Sequence, residues 1–300
     1  MQDYPTLVLG INGRLGHMLS VFGHAEQLGW QGQARRQPAN LIWSGSFSDS
    51  SLSTTLSDGV HTLINLIGAT PRIDDGALMD DTNVRFVTDL LSCAADFGVA
   101  HVVLASSAAV YGTATQTPLR ETTPLAPVTA YGRSKARMED AALEWSTQNN
   151  GPALSILRIG NVAGADALLR SANHYAGHTT MPLHVLPSGS APVRPYIGPR
   201  HFFMALRAIA NRQTVTGQMD IFNLAHPVPL TLDALLEAYR DQLLPDLTWA
   251  TQPLPDDTPP KVIFDTTKLS EVIDLPRAPD QAGETARQVA LFQSLAKDIR

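Results

Sequence analysis

Thr6-Leu-Val-Leu9 is a short apolar run that passes directly into glycines at positions 10, 13 and 16, a junction that few folds accommodate. An apolar run of strand length gives way to residues that turn tightly, and then to a helical pattern over about 14–28. Glycines at such a junction let the backbone approach a pyrophosphate, which then sits at the helix amino terminus. The spacing differs by one residue from the usual dinucleotide fingerprint, so the turn alone does not decide the ligand. The same rhythm continues along the chain. Strands are expected at 6–9, 63–68, 101–106 and 153–159, with weaker ones near 32–35 and 41–43, and helices at about 14–28, 78–97 and 130–148. Strand and helix alternating in this way predict an α/β chain with a doubly wound parallel sheet. Beyond Arg158 the rhythm breaks into proline- and glycine-rich segments over 181–199. A helix near 199–212, a strand at 220–224 and a helix N-capped by Thr231 follow.

Tyr131-Gly-Arg-Ser-Lys135 carries the clearest chemistry. The continuation Ala-Arg-Met-Glu-Asp-Ala-Ala-Leu-Glu favours helix, which puts Tyr131 and Lys135 on one face. A nearby cation favours the phenolate, so the pair can give and take a proton. A surface tyrosine beside a solvated lysine would read the same in isolation. The strand at 101–106 ends in Ser106-Ser107, at the edge where open parallel sheets bind ligands. A serine hydroxyl there can hydrogen-bond the substrate oxygen that the tyrosine serves.

Together these stretches resemble the extended short-chain dehydrogenase/reductase family, the branch of NAD-dependent epimerases and dehydratases. The resemblance rests on Gly10-x-x-Gly13-x-x-Gly16, the run Leu63-Ile-Asn-Leu-Ile-Gly68, Asn83-Val84 and Ser106-Ser107-x-x-Val110-Tyr-Gly112. It continues through Tyr131-x-x-x-Lys135, Leu157-Arg-Ile-Gly-Asn-Val-x-Gly164 and Arg194-x-Tyr-Ile197. It implies a Rossmann-like core over 1–160, to which about 197–225 return, and a small C-terminal substrate-binding lobe over 161–196 and 226–300. It also implies Ser107, Tyr131 and Lys135 as the catalytic set; Ser107 is preferred to Ser106 because it lies three residues before Val110. Gly10, Asn12, Gly13, Arg14, Leu15, Gly16, Leu66, Ile67, Gly68, Lys135 and Ile159 are the implied cofactor residues. Ser107, Asn161 and Arg194 are those implied for the substrate. The segment Ala69-Thr-Pro-Arg-Ile-Asp-Asp-Gly76 lacks the histidine often found there in the epimerases, so Arg72 or Asp74 faces the substrate or merely shapes a turn. His201 stands where the family often has aspartate. A homodimer built on the helices at about 78–97 and 130–148 is common in the family and is expected here.

The cofactor depends on the end of the second strand. NAD-dependent members carry an acid there, whereas this chain reads Gly32-Gln-Ala-Arg-Arg36. Arg35 and Arg36, with Arg14, can pair with a 2'-phosphate, so NADP is favoured and NAD stays open. A net charge of −6 leaves no electrostatic footprint for nucleic acid. The single cysteine, Cys93, excludes an internal disulfide and fits a reducing compartment, so a cytoplasmic protein without a membrane segment is expected. His174 and His178 have helical spacing, but Gly177 lies between them and no acid is near, and no metal is expected.

Three readings follow. The first is an NADP-linked ketoreductase or dehydrogenase acting on a sugar-like or nucleotide-sugar substrate. The second is an epimerase or dehydratase that retains NAD. The third is a non-catalytic dinucleotide sensor.

Overall fold

The computed structural model describes residues 3–68, 81–112, 118–256 and 258–299. Thr6–Leu9 (β1) is buried along its whole length and pairs in parallel with Gln31–Ala34 (β2) on one side and Thr62–Asn65 on the other. A parallel strand covered on both faces must be apolar throughout, which is what the sequence of β1 supplies. Leu41–Ile42 (β3) extends the sheet from β2, and Thr62–Asn65 (β4) pairs with His101–Ser107 (β5). Ala153–Ile159 (β6) and the late strand Met219–Leu224 complete seven strands. Their order is Met219–Leu224, β6, β5, β4, β1, β2, β3. The chain is α/β with a Rossmann-like sheet.

The element boundaries have local causes. Helix Arg14–Ala25 (α1) stops short of residue 28 because Gln27 adopts a positive φ of 55° and the Leu28 N–H bonds back to the Gly23 carbonyl at 2.8 Å, a left-handed termination. β4 ends at Asn65 rather than 68, since the Asn65 side chain accepts the Ile67 N–H at 3.0 Å and turns the chain. The short helix Ser51–Ser57 (α2) lies in the serine-rich stretch. Part of the helix expected over 78–97 falls outside the described residues. What is described is a π-helical turn, Asp81–Arg85, running into Phe86–Asp96 (α3). Ala130–Gln148 (α4) is N-capped by Thr129, whose hydroxyl accepts the Gly132 N–H at 3.0 Å.

The chain divides into two compact units. The first holds residues 1–112, 124–158 and 206–222, and the second holds 113–123, 159–205 and 223–300. The first is built on Leu7, Leu9, Trp43, Leu63, Leu90, Val102, Met138 and Ile156. The second has its own core, including Met181, Leu183, Tyr196, Leu235, Tyr239 and Val289. Within it His201 is buried, stacks on His226 with ring centroids 5.3 Å apart, and lies 3.1 Å from the Gln288 amide. None of the described helices is long and apolar enough to cross a membrane.

Gly112 has a φ of +61°, and a Cβ there would lie 1.8 Å from the Ala126 carbonyl oxygen. We therefore expect Gly112→Ala to destabilise the first unit by about 2–3 kcal/mol in urea denaturation. An unchanged midpoint would contradict this close approach.

Candidate active site

The glycine turn and the carboxyl ends of β1, β2 and β4 open onto a cleft of about 1190 Å³. Its lining includes Gly10, Asn12 and Gly13 from the turn, Gln33 to Arg36 from β2, Leu66 to Gly68 after β4, and Arg85, Phe86 and Asp89. Two observations fit it to an anionic dinucleotide. The amino terminus of α1 has neither a side-chain cap nor an acid in its first turn, so its N–H groups and dipole remain available to a phosphate. At Gly16 a Cβ would lie 2.3 Å from the Gly10 carbonyl oxygen and 2.6 Å from the Ile11 Cα, so only glycine allows the helix to enter this close to the turn. The turn is tied to β2 by Gln33. Its backbone carbonyl accepts the Ile11 N–H at 2.9 Å, its side-chain carbonyl accepts the Gly10 N–H at 3.0 Å, and its amide donates to the Trp43 carbonyl at 2.8 Å. Asn12 donates to the Arg36 carbonyl at 3.2 Å.

Ser107, Tyr131 and Lys135 come together where β5 ends and α4 begins. The Tyr131 phenol lies near enough to Ser107 for that residue to act on its ionisation, and the Ser107 side chain accepts the Ala109 N–H at 3.2 Å. The Lys135 ammonium is buried and donates to the Ala105 carbonyl at 2.7 Å. It also lies beside Gly68, where a Cβ would sit 3.1 Å from Nζ and 2.9 Å from the Asn83 side-chain oxygen. Because Gly68 lines the cleft, the lysine lies directly behind that part of its wall. Asn83, on the π-helical turn, donates to the Ser134 hydroxyl at 3.0 Å, and Ser134 donates to the Tyr131 carbonyl at 2.9 Å. One strand end and one helix start are thereby locked together.

The electrostatics differ from expectation. Burial raises the Tyr131 phenol above its ordinary value, while Ser107 and the positive charge of Arg14 pull the other way. Burial outweighs them, so the phenol is not brought down toward working pH. Lys135 is itself pushed down to about 8 by burial, against the opposing pull of Glu139. Arg14 is not among the residues that line the cleft.

Arg35 and Arg36 do line the cleft, and neither is tied to a carboxylate among the described residues. Sequence reasoning missed the rest of that wall: Gln33, Ser44 to Phe47, Arg85, Phe86 and Asp89. Trp43, Phe47 and Phe86 form an aromatic cluster behind it, with centroids 5.3 to 5.9 Å apart. Only the order of the strands brings these segments together, and no local signal announces them. Arg72 and Asp74 lie outside the described residues.

Ile159, Asn161 and Arg194 belong to the second unit. Ile159 is buried at the end of β6. Asn161 pairs in register with Tyr196. The Arg194 guanidinium is half-buried and donates to the Val193 carbonyl at 2.8 Å, and burial lowers its pKa.

The sequence profile of the NAD dependent epimerase/dehydratase family matches residues 6–193. A UDP-glucose 4-epimerase of Lactobacillus helveticus is 26% identical over 211 residues, covering 64% of this chain and 64% of the relative, so the match spans under two thirds of that protein. The UDP-glucose-4-epimerase from Stenotrophomonas maltophila, solved with bound NAD and formylated UDP-arabinopyranose, has a TM-score of 0.80 at 17% identity. That alignment covers 99% of this chain and 100% of the other. The NAD-dependent NDP-hexosamine 5,6-dehydratase TunA gives 0.75 at 21% identity, covering 97% and 98%. At these identities the solved structures establish likeness of fold.

Burial of Lys135 also predicts a pH dependence. Its value of about 8 lies below the ordinary 10.5, so between those two pH values the unfolded chain holds the extra proton and stability rises with pH. Below about pH 8 the full penalty of burying the ammonium is present. Lys135→Met should be more stable than the wild type at pH 7 by on the order of 1–3 kcal/mol, and the margin should shrink between pH 8 and 10.5. Urea melts across that range test this, and a margin that stays flat would refute it.

Proposed function

Because the chain belongs to the NAD-dependent epimerase/dehydratase family, we propose that it is an epimerase of a nucleotide-sugar, inverting a carbinol centre through transient oxidation by a retained NAD. The observation that carries this reading is the placement of buried Lys135 against Gly68, on the cleft that the glycine turn also lines. Lys135 and the dinucleotide cradle then adjoin one another at Gly68. The curated relatives, named as UDP-glucose and UDP-arabinose 4-epimerases, make UDP-sugars the first substrates to test. The ketoreductase reading, which the sequence first favoured, accordingly gives way to the second one. A pure sensor fits less well, since serine, tyrosine and lysine are all in place.

The bound dinucleotide would supply reversible hydride acceptance. The chain's own groups do the remainder. Tyr131 takes the proton from the sugar hydroxyl as the carbinol is oxidised and returns it when the carbonyl is reduced. Ser107 hydrogen-bonds the same oxygen and holds it against the phenol. Lys135 is placed to bond the nicotinamide ribose from the Gly68 side, and the α1 amino terminus takes the pyrophosphate. The family resemblance assigns Asn161 to the sugar and Arg194, through its planar fork, to the diphosphate. Arg35 and Arg36 in the cleft, with no acid at the end of β2, favour a second reading of the cofactor: NADP in place of NAD. Homodimerisation through α3 and α4 completes the proposal.

Denaturing release of nucleotide from the purified protein tests retention. Recovery of NAD at about one per chain supports the epimerase, whereas an empty protein that binds NADPH more tightly than NADH in a fluorescence titration would reject retained NAD. In the second case Arg35→Ala and Arg36→Ala should erase the preference for NADPH. Tyr131→Phe should lower the rate of UDP-sugar epimerisation by about 10²–10⁴-fold while leaving dinucleotide affinity nearly unchanged. Wild-type turnover in that variant would sink the assigned mechanism.

A further inference from the structure

Tyr131, Lys135 and Glu139 follow one another at intervals of four on α4, so they form one row along the helix. Each meets the last three residues of β5. Tyr131 lies near Ser107, the Lys135 ammonium bonds the Ala105 carbonyl at 2.7 Å, and the Glu139 carboxylate accepts a hydrogen bond from the Ser106 hydroxyl. Only the first two members of the row have a place in the chemistry above. Glu139 is 1% exposed, too deep to touch a ligand. It is fixed from behind by Arg158 on β6, through bonds of 2.7, 3.0 and 3.2 Å. Arg158 in turn donates to the Tyr111 hydroxyl at 3.0 Å.

We propose that Glu139 is a positioning residue of this site, the buried counter-ion that keeps Lys135 charged and holds the Ser106–Ser107 strand end in register with Tyr131. The role rests on the assignment of Ser107, Tyr131 and Lys135 made above. A buried ammonium needs a nearby anion to stay ionised. One turn away Glu139 supplies it, and its pull on the lysine opposes the effect of burial. The other titratable or charged groups around this row are Tyr131 on α4 itself, Tyr111 just after β5, Arg158 from β6, and Arg14 at the start of α1. Glu139 is the carboxylate among them. Arg158 alone would leave the ammonium facing a second cation, so the pair acts as a unit in which Glu139 serves two positive partners.

The titration of Lys135 reads this directly. The chain has four lysines, Lys135, Lys261, Lys268 and Lys297, and Lys135 is the buried one. In lysine-¹³C-labelled protein its Cε resonance should titrate with a midpoint of about 8. In Glu139→Gln the midpoint should fall by roughly one pH unit, and the basic limb of the pH–kcat profile should move with it. Should that variant fail to fold with Arg158 left unpaired, the double variant Glu139→Gln/Arg158→Met removes both charges and should show a smaller fall in the same direction, because the second cation has gone with the carboxylate. Arg158→Met alone should move the midpoint up, because Glu139 then has only the lysine to serve. A structural pair with no tie to the lysine would move neither midpoint. An unmoved midpoint, or two single variants moving in the same direction, overturns the proposal. The resonance is read without substrate, so absence of epimerase activity would reject the proposed function while leaving this question separately answered.

Discussion

Parallel pairing fixes the position of everything that can react. Leu9 is in register with Gln33 on one side and Asn65 on the other, and Asn65 with Leu104. The residues that follow, Gly10, Ala34, Leu66 and Ala105, therefore emerge at one level on one edge. The glycine turn, the arginines after β2, Gly68 and Ser107 each lie within about three residues of that level. No side chain has to search for its neighbours, because the backbone ladder has already aligned the loops that carry them.

The same edge concentrates charge where burial is most expensive. Lys135, Glu139 and Arg158 are each 4% exposed or less, and together they carry one net positive charge inside the first unit. Removing one partner of the Glu139–Arg158 pair leaves the other buried and unpaired, at a cost of about 3–5 kcal/mol, whereas Lys135 carries the penalty of its own burial. A fold selected for stability alone has no use for them, so their presence is a stability–function trade-off. Tyr131 shows the same tension. Its environment favours the neutral phenol, so the ionised form has to be drawn out by the partners it meets in the reaction.

Legibility in the sequence followed the range of the interactions. β1, β6 and α4 were readable to the residue because their signals are local: apolar runs of strand length, and a run of helix formers after Tyr131. The row of Tyr131 and Lys135 was readable for the same reason, since helical spacing alone places them on one face. The cleft wall was not. Ser44 to Phe47, Arg85 and Asp89 reach it through strand order and the π-helical turn at Asp81–Arg85, neither of which leaves a pattern in a short window. The pull of Arg14 on Tyr131 was hidden in the same way, because the two residues are more than a hundred positions apart. Reaction class was also beyond local reading, since reductase and epimerase share the proton-handling residues and differ in whether the hydride is returned.

That last distinction depends on retention, which has a physical basis in this chain. A cofactor that leaves after each turnover needs an open, weakly anchored seat, whereas one that recycles its hydride needs anchors at both ends. In the proposed function the pyrophosphate, at the middle of the dinucleotide, is offered an uncapped helix terminus tied to β2 by Gln33, and the nicotinamide end a lysine lodged between Ala105 and Gly68. The wall proposed for the adenosine end, around Arg35 and Arg36, is exposed, and flexible guanidinium groups there can close over a phosphate or a ribose with little rearrangement of the sheet. Under that proposal the two arginines act on which dinucleotide is held, and the rigid anchors on how long.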